Sequence, residues 1–266
     1  MPRGPWETLA NYESSELVKR AYLARHGREA NTNHAREVTA AFVHARSYFR
    51  AGQLAELTVK PLLLYYGIVS LSRGLVLMLS TGLRDAAISP RHGLTVRDWN
   101  SDLSKSNPDF ASLRVEVNSS GTFGELGNAI QFRSLLKSNS SAVNYIHTSP
   151  PPPPKTSFTL GDILSRMPVL GEHYRRWLGN PRCVPIEAKL GVAKVSIFVP
   201  KKPHDWITSE IAQEVFSGTA ITYSSEDHAR FVFEGPEDVF ALPGLTDYRA
   251  PRTIALRTEV CESRSC

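Results

Sequence analysis

Cysteine is scarce in this sequence, which has three cysteines among 266 residues. Cys183, Cys261 and Cys266 are far apart, and none of them forms the C-x-x-C pair on which many structural zinc sites are built. An odd and widely spaced set also gives no disulfide framework of the kind found in small secreted domains. The sequence therefore predicts free, reduced thiols and no metal site.

Several motifs that mark common enzyme classes are also missing. The sequence contains no G-x-G-x-x-G, no phosphate-binding P-loop, no H-E-x-x-H and no G-x-S-x-G. These absences argue against nucleotide cofactors, zinc proteases and α/β-hydrolases, and we expect no cofactor. The N-terminal residues lack the apolar stretch of a signal peptide, so we expect a cytoplasmic protein.

Charge of either sign is moderate. The formal net charge is +5, with 21% charged and 41% hydrophobic residues, which is typical of a globular protein. This balance allows contact with RNA but does not require it, because nucleic-acid domains usually carry a clustered basic face. A chain of this length can build one large core or two smaller ones.

The longest apolar stretch runs for 19 residues from Pro61 to Leu79, and Arg73 is its one charged residue. Its length is close to the roughly 20 residues that cross a bilayer. However, an arginine at mid-bilayer costs about 2.5–3.5 kcal/mol on insertion scales. We therefore expect no membrane span but a central, buried helix, in which Arg73 is paired with Glu56, Asp85 or a bound anion.

Apolar periodicity predicts three helices in the N-terminal half. They cover about residues 13–27, 34–51 and 54–79, with Asn33 capping the second and Pro61 kinking or restarting the third. We expect them to pack as an antiparallel pair or triple around a tyrosine-rich centre.

Beyond residue 93 the pattern is mixed. Five consecutive prolines, 150–154, predict an extended connector, or alternatively a ligand for a proline-reading partner domain. Period-two alternation and helical spacing predict the remaining elements. The predicted strands are 113–117, 192–199, 229–233 and 254–260, and the predicted helices are 123–136, 207–216 and two short turns within 158–177 that are split at Pro168.

These elements together predict an α+β fold, with an N-terminal helical core and a small mixed α/β C-terminal unit. The expected divisions are a mainly helical domain at 1–148 and a proline-rich connector at 149–157. Residues 158–266 then form a helical segment that leads into the mixed α/β unit.

Several sequence blocks, in this order, resemble the YaaC-like proteins. The strongest is KPLLLYYG at 60–67, followed by SLSR at 70–73 and HGL at 92–94. GTFGEL at 121–126 and FTLGDILSRMP at 158–168, with Tyr174 after it, fit the same pattern. HARSYFRA at 44–51 suits the helix that precedes the signature.

The resemblance covers about residues 40–177 and implies a cytosolic prokaryotic protein without an established reaction. Members of the family typically continue with a helix-rich section, with which the β-leaning end of this chain does not align. The resemblance therefore implies a C-terminal part that is divergent or shortened.

The helical half also loosely resembles HEPN bundles, many of which are metal-independent ribonucleases of toxin and phage-defence systems. That resemblance implies a histidine that activates a ribose hydroxyl and an arginine about four to six residues away that steadies the phosphate. Seven residues lie between Arg84 and His92, one too many, whereas Arg20/His26 and Arg28/His34 fit the spacing.

Two groups of residues are candidates for a functional site. The first is His92 with Arg84 and Arg91, which form either a catalytic or anion-binding group or a simple turn. The second comprises four residues within the apolar segment or directly before it, which form either a binding group or a buried structural set. These four residues are Lys60, Tyr65, Tyr66 and Arg73.

The sequence thus supports two hypotheses of function. The first is a binding or assembly protein with a protein partner or a second copy of itself. The alternative is a HEPN-type ribonuclease centred on His92, with RNA as its partner.

Overall fold

The structure is a computed structural model that describes residues 5–130, 133–137, 144–148, 151–190, 194–202, 204–217, 220–236 and 253–256. The helices are α1 (Pro5–Leu9), α2 (Ser15–His26), α3 (Thr32–Leu54), α4 (Lys60–Leu79), α5 (Trp99–Leu103), α6 (Thr122–Ile130), α7 (Leu160–Ser165), α8 (Gly171–Leu178) and α9 (Ser209–Val215). The strands are β1 (Leu94–Arg97), β2 (Arg114–Val117), β3 (Arg133–Lys137), β4 (Asn144–Thr148), β5 (Ser157–Thr159), β6 (Cys183–Leu190), β7 (Lys194–Pro200), β8 (Thr222–Glu226), β9 (Arg230–Pro236) and β10 (Thr253–Leu256).

The predicted α+β class is confirmed. The N-terminal part is a helical core, and the C-terminal part contains a five-stranded sheet of order β10-β6-β7-β9-β8, in which β10 pairs in parallel with β6. Two smaller sheets have the orders β1-β2-β5 and β3-β4.

Chain contacts divide the protein into two units, each discontinuous in the sequence. The first comprises Met1–Thr95, Val117–Gln131 and Pro150–Thr156, and the second comprises Val96–Glu116, Phe132–Ser149 and Ser157–Cys266. The domain limits drawn from the sequence, with a connector at 149–157, stay a prediction.

In the N-terminal half, residues at or next to the helix ends determine where most helices begin and end. Gly27 ends α2 in the left-handed region at φ 66°, where an L side chain is disfavoured. Pro61 lies in the first turn of α4, so it starts a new helix rather than kinking one. The cap of α3 is Asn31 and not Asn33, because the Asn31 side chain accepts the backbone N–H of His34 at 2.8 Å.

Two further sequence predictions need correction. The helix predicted at 123–136 ends at Ile130, and β3 begins at Arg133. The predicted tyrosine-rich centre is also wrong for α4, because Tyr65 and Tyr66 are 42% and 45% exposed. Phe42 and Phe49 of α3 make the close contacts with α4 at Gly74 and Gly67.

The core of the first unit forms where α2, α3 and the C-terminal half of α4 meet. Val18, Val38 and Leu77 are fully buried there, and Leu126 of α6 packs against them. The core of the second unit lies on the large sheet, where alternate residues of β7 are buried and α9 covers them.

Candidate functional site

Two glycines allow α3 to approach α4 closely. A Cβ at Gly67 would lie 3.2 Å from the Phe49 ring, and one at Gly74 would lie 3.0 Å from the Phe42 ring. Because these glycines are seven residues apart, they lie on the same side of α4. Helix α3 therefore covers that side along most of α4.

The other side of α4 is covered only along its C-terminal half. Val76, Leu77 and Met78 are buried in the core described above. In the N-terminal half, however, Leu62 is 54% exposed and Ile68 is 57% exposed. The expectation of a buried helix is therefore wrong for these side chains in the N-terminal half.

The exposed side chains of α4 continue into the turn before it. Leu54 is 91% exposed, Leu57 84% and Val59 48%. We call the "α4 surface" the seven exposed apolar side chains at the end of α3, in the turn and in the first half of α4. They are Leu54, Leu57, Val59, Leu62, Tyr65, Tyr66 and Ile68.

The α4 surface carries little charge. No charged residue occurs between Lys60 and Arg73. Lys60 begins α4 and is half-buried, and Glu56 is exposed in the preceding turn. Within the described ranges neither Glu56 nor Lys60 makes an ion pair. The apolar residues of the turn therefore lie between one acidic and one basic residue, each without an ion-pair partner in these ranges.

The predicted residues Tyr65, Tyr66 and His92 lie together at one edge of this surface. The ring centroids of Tyr65 and Tyr66 are 5.3 Å apart, and Tyr48 stacks on Tyr66 at 5.6 Å. His92 meets the Tyr65 ring edge-on at 6.1 Å. These centroid distances lie within the range of favourable aromatic contacts.

His92 is exposed, and its Nδ1 accepts the backbone N–H of Leu94 at 3.4 Å. This is the turn-stabilising contact that a structural histidine makes. Arg91 is also exposed, and its backbone N–H lies 3.3 Å from Ser89 Oγ. Both side chains therefore remain accessible to a ligand.

The turn at His92 is held by the start of α6. The backbone N–H of Phe123 donates to the His92 carbonyl at 3.0 Å, and Thr122 N–H donates to the Arg91 carbonyl at 2.9 Å. A Cβ at Gly121 would lie 2.3 Å from the Cα of Gly93, so only glycine allows this approach. The HGL and GTFGEL blocks of the sequence thus meet in one structural element.

Arg73 pairs with Asp85, one of the two carboxylates considered from the sequence. Its Nε and Nη2 donate to Asp85 Oδ1 at 3.1 and 2.8 Å. Its nitrogens also donate to the carbonyls of Asp85 and Ser89 at 3.1 and 3.3 Å. Arg73 therefore fixes the segment after α4, which is a structural role.

Arg84 is held by Glu37 of α3 and is not directed to His92. Its Nε donates to Glu37 Oε2 at 2.9 Å and its Nη2 to Oε1 at 2.5 Å. These hydrogen bonds lower the pKa of the Glu37 carboxyl, which also accepts the N–H of Asp85. Among the described residues no contact joins His92 to Arg73 or Arg84, so the predicted catalytic group is not assembled as one cluster.

The part of the chain that the structure describes contains no group of three or more His, Cys, Asp or Glu side chains placed to hold a metal ion. Cys183 is buried, and burial raises the pKa of its thiol to about 11. Such a thiol stays protonated at neutral pH and is a poor nucleophile.

The sequence reasoning missed Leu54, Leu57 and Val59. The third helix was expected to start near residue 54 and to be kinked or restarted at Pro61, and these three side chains were not singled out. The available signal was Pro61, which favours a helix start at this point and so leaves the preceding apolar residues in a turn.

Helix α4 is long and apolar enough to cross a membrane by length and composition alone, with 33% of its most apolar window buried. The core helix of a soluble protein passes the same test, so this finding is weak evidence for a span. The absence of a membrane span and the cytoplasmic location stay predictions.

No curated protein and no solved structure matches the chain. One family model, described as YaaC-like Protein, matches residues 8–238. This match is longer than the blocks recognised in the sequence, and it includes the strands β6 to β9, which the resemblance had left outside the family pattern. The chain therefore belongs to the YaaC-like protein family.

Proposed function

We propose that the chain is an assembly protein whose α4 surface binds a second copy of itself. The observation that carries this proposal is the exposure of seven large apolar side chains, between 42% and 91%, within 15 residues of sequence. Monomeric proteins rarely expose large apolar patches, and each large apolar side chain gains about 1.5–3 kcal/mol on full burial.

The residue types of the α4 surface suit a protein partner. Interface cores are enriched in tyrosine and depleted of charge, and aromatic anchors carry much of the binding energy. Tyr65 and Tyr66 are already fixed by contacts with Tyr48 and His92, so they lose little conformational entropy on binding.

The charges around the turn favour a second copy as the partner. In a two-fold interface, residue i of the first copy contacts residue j of the second copy, and residue j of the first copy contacts residue i of the second. Glu56 and Lys60 carry opposite charges and flank Leu57 and Val59. A two-fold arrangement lets each Glu56 meet the other copy's Lys60, which balances the charges on both sides.

Sedimentation velocity over a range of protein concentrations tests this proposal. The wild-type protein should sediment as a dimer, and Leu57→Asp should sediment as a monomer, because a carboxylate replaces an apolar contact. Val169→Asp is the matched control, since Val169 is 80% exposed but lies outside the α4 surface. A monomeric wild-type protein, or equal effects of the two variants, would contradict the proposal.

A charge exchange tests the two-fold geometry. Glu56→Lys alone should weaken the dimer because it places like charges together, and the double variant Glu56→Lys/Lys60→Glu should restore it. Failure of the double variant to recover would rule out the Glu56–Lys60 contact. Binding of the wild-type monomer to lipid vesicles would assign the surface to a membrane instead.

A metal-independent HEPN-type ribonuclease is the second candidate. The observation that favours it is the exposure of His92, which meets the Tyr65 ring edge-on, and of its neighbour in sequence, Arg91. These residues offer an imidazole, a cation and a ring on which a base can stack. Lys60 is the first residue of α4, the helix that carries Tyr65, and it adds a second cation to this group.

Incubation of the purified protein with RNA in EDTA tests this candidate. Cleavage that His92→Ala and Arg91→Ala both abolish would support it, with His228→Ala as the control because His228 is in a different unit. Intact RNA would exclude the nuclease and leave the assembly proposal unaffected.

A further inference from the structure

A second group of exposed apolar side chains lies in the second unit, on helix α8 and in the segment directly before it. Val169 is 80% exposed, Trp177 77%, Leu178 46% and Met167 39%. We call these four side chains the "α8 surface". They lie within 12 consecutive residues and include none of the α4 surface, so they form a separate candidate for binding.

Helix α8 has an apolar and a polar side. Trp177 and Leu178 follow Tyr174 by three and four residues, so the three side chains lie on the same side of the helix. Tyr174 is half-buried, but Trp177 and Leu178 are exposed. The apolar side of a surface helix normally packs on the core. In α8 the C-terminal end of that side faces solvent instead.

The exposure of Val169 and Trp177 favours a membrane over other partners. Side chains that are 80% and 77% exposed project from the surface and do not line a groove. A protein partner would need a matching pocket for each of them, whereas the boundary of a lipid bilayer accepts projecting apolar side chains. A nucleic-acid base could stack on Trp177, but Val169 and Met167 offer it no aromatic surface.

Three acidic side chains near α8 are each bound by an arginine. Arg175 pairs with Asp205 and, at 3.6 Å, with Glu172. Arg182, which follows α8, pairs with Asp162 at 2.7 Å. These ion pairs offset the acidic charge on this part of the surface.

Positive charge remains on α8. Arg176 is exposed and makes no ion pair within the described ranges. His173 is also exposed and precedes Arg176 by three residues, so it lies on the same side of the helix. The formal net charge of the whole chain is +5. The charge next to the α8 surface is therefore complementary to a membrane that contains anionic lipids.

We propose that the α8 surface inserts into the boundary of a membrane that contains anionic lipids, as a reversible peripheral contact. Trp177 lies there at the level of the headgroups, which is the position that tryptophan favours. The other three apolar side chains reach the start of the acyl chains, and Arg176 binds a lipid phosphate. Because one short apolar surface binds a bilayer weakly, the anionic lipids supply the second contribution.

Co-sedimentation with lipid vesicles tests the proposal. The protein should bind vesicles of phosphatidylcholine with about 30% phosphatidylserine about tenfold more tightly than vesicles of phosphatidylcholine alone, because anionic lipids attract basic residues. Arg176→Gln should weaken binding to the anionic vesicles about fivefold and leave binding to the neutral ones unchanged. Val169→Asp should weaken binding to both about tenfold, because a carboxylate replaces an inserted apolar side chain.

Leu57→Asp is the matched control for Val169→Asp, because vesicle binding could also come from the α4 surface. Leu57 is 84% exposed and Val169 80%, so both variants should fold. Leu57→Asp should bind the vesicles like the wild type. Weakening by Leu57→Asp alone, or equal weakening by the two variants, would overturn the proposal.

Tryptophan fluorescence reports insertion directly. The emission of the wild type should shift to shorter wavelength as anionic vesicles are added. Trp177→Phe should still bind but lose most of this shift, because phenylalanine keeps an apolar ring and the other tryptophans lie outside the α8 surface. No vesicle binding by the wild type, or an unchanged emission on binding, would overturn the proposal. Dissociation of a wild-type dimer by Val169→Asp would do the same, because it would assign the α8 surface to a protein partner.

Discussion

Replacement of Gly74 by alanine tests how closely α3 and α4 pack. The new Cβ would lie 3.0 Å from two ring atoms of Phe42 and 3.2 Å from the Cβ of Ala41. Carbon atoms in good contact are about 3.5–4.0 Å apart, so the ring or the helix must move. Phe42 is 2% exposed, which leaves the ring little free space.

Two opposing effects set the size of this change. Alanine in place of glycine in a helix interior gains about 0.8–1.0 kcal/mol from propensity. Overpacking of a dense core costs about 1–3 kcal/mol. We expect Gly74→Ala to lower the free energy of unfolding by about 1 kcal/mol.

Gly124 of α6 provides the matched control. No atom lies within 4 Å of a Cβ built there, and the residue is helical in the same unit as Gly74. Gly124→Ala should therefore raise the free energy of unfolding by about 0.5–1 kcal/mol. The two substitutions are chemically identical, but their effects should have opposite signs.

Urea unfolding followed by circular dichroism at 222 nm measures both variants, because this signal reports mainly on helices. The midpoint should fall for Gly74→Ala and rise for Gly124→Ala at an unchanged slope. Truncation of the opposing ring in the double variant Phe42→Leu/Gly74→Ala should remove part of the steric cost. Equal stabilisation by the two alanines would refute the close packing of α3 against α4.

Three other predictions concern single contacts. The pKa of Glu37 is lowered, chiefly by hydrogen bonds from Arg84. The ionised Glu37 carboxylate therefore contributes stability above about pH 4.5, and this contribution is lost as the pH falls through the folded-state pKa. The urea midpoint of Glu37→Gln should change less between pH 7 and pH 3 than that of the wild type. Arg73→Ala should cost about 1–3 kcal/mol in urea unfolding, because it leaves Asp85 and two carbonyls without their donor. Cys183 has a buried thiol of raised pKa and should react with iodoacetamide at pH 8 only after denaturation, as peptide mass spectrometry can show.

Local chemistry was the part of the fold that the sequence could predict. Gly27 and Pro61 set helix ends through their own backbone preferences, which act within a few residues. The strands near 113–117, 194–200 and 230–236 were found because alternation is also a local pattern. The strand β6 was not among the predicted strands, and it contains Pro185, a residue that argues against a strand. The proline is tolerated because β6 pairs with β10 at residues 183–186 and with β7 only at residues 187–190, so Pro185 is paired on one side.

The candidate site was only partly predictable. Lys60, Tyr65, Tyr66 and His92 were selected from residue type and family blocks, and the structure brings Tyr65, Tyr66 and His92 together. Arg84 was expected beside His92 because the two are close in sequence. Its actual partner, Glu37, is 47 positions away, and no local pattern marks that pairing.

The sequence by itself determined the family, the α+β class and the apolar character of the segment 61–79, since these depend on residue identity and order. Tertiary structure decided which part of that segment is buried. Helix α6 and the core residues around Leu77 cover only the C-terminal half of α4, and this covering depends on how distant elements pack.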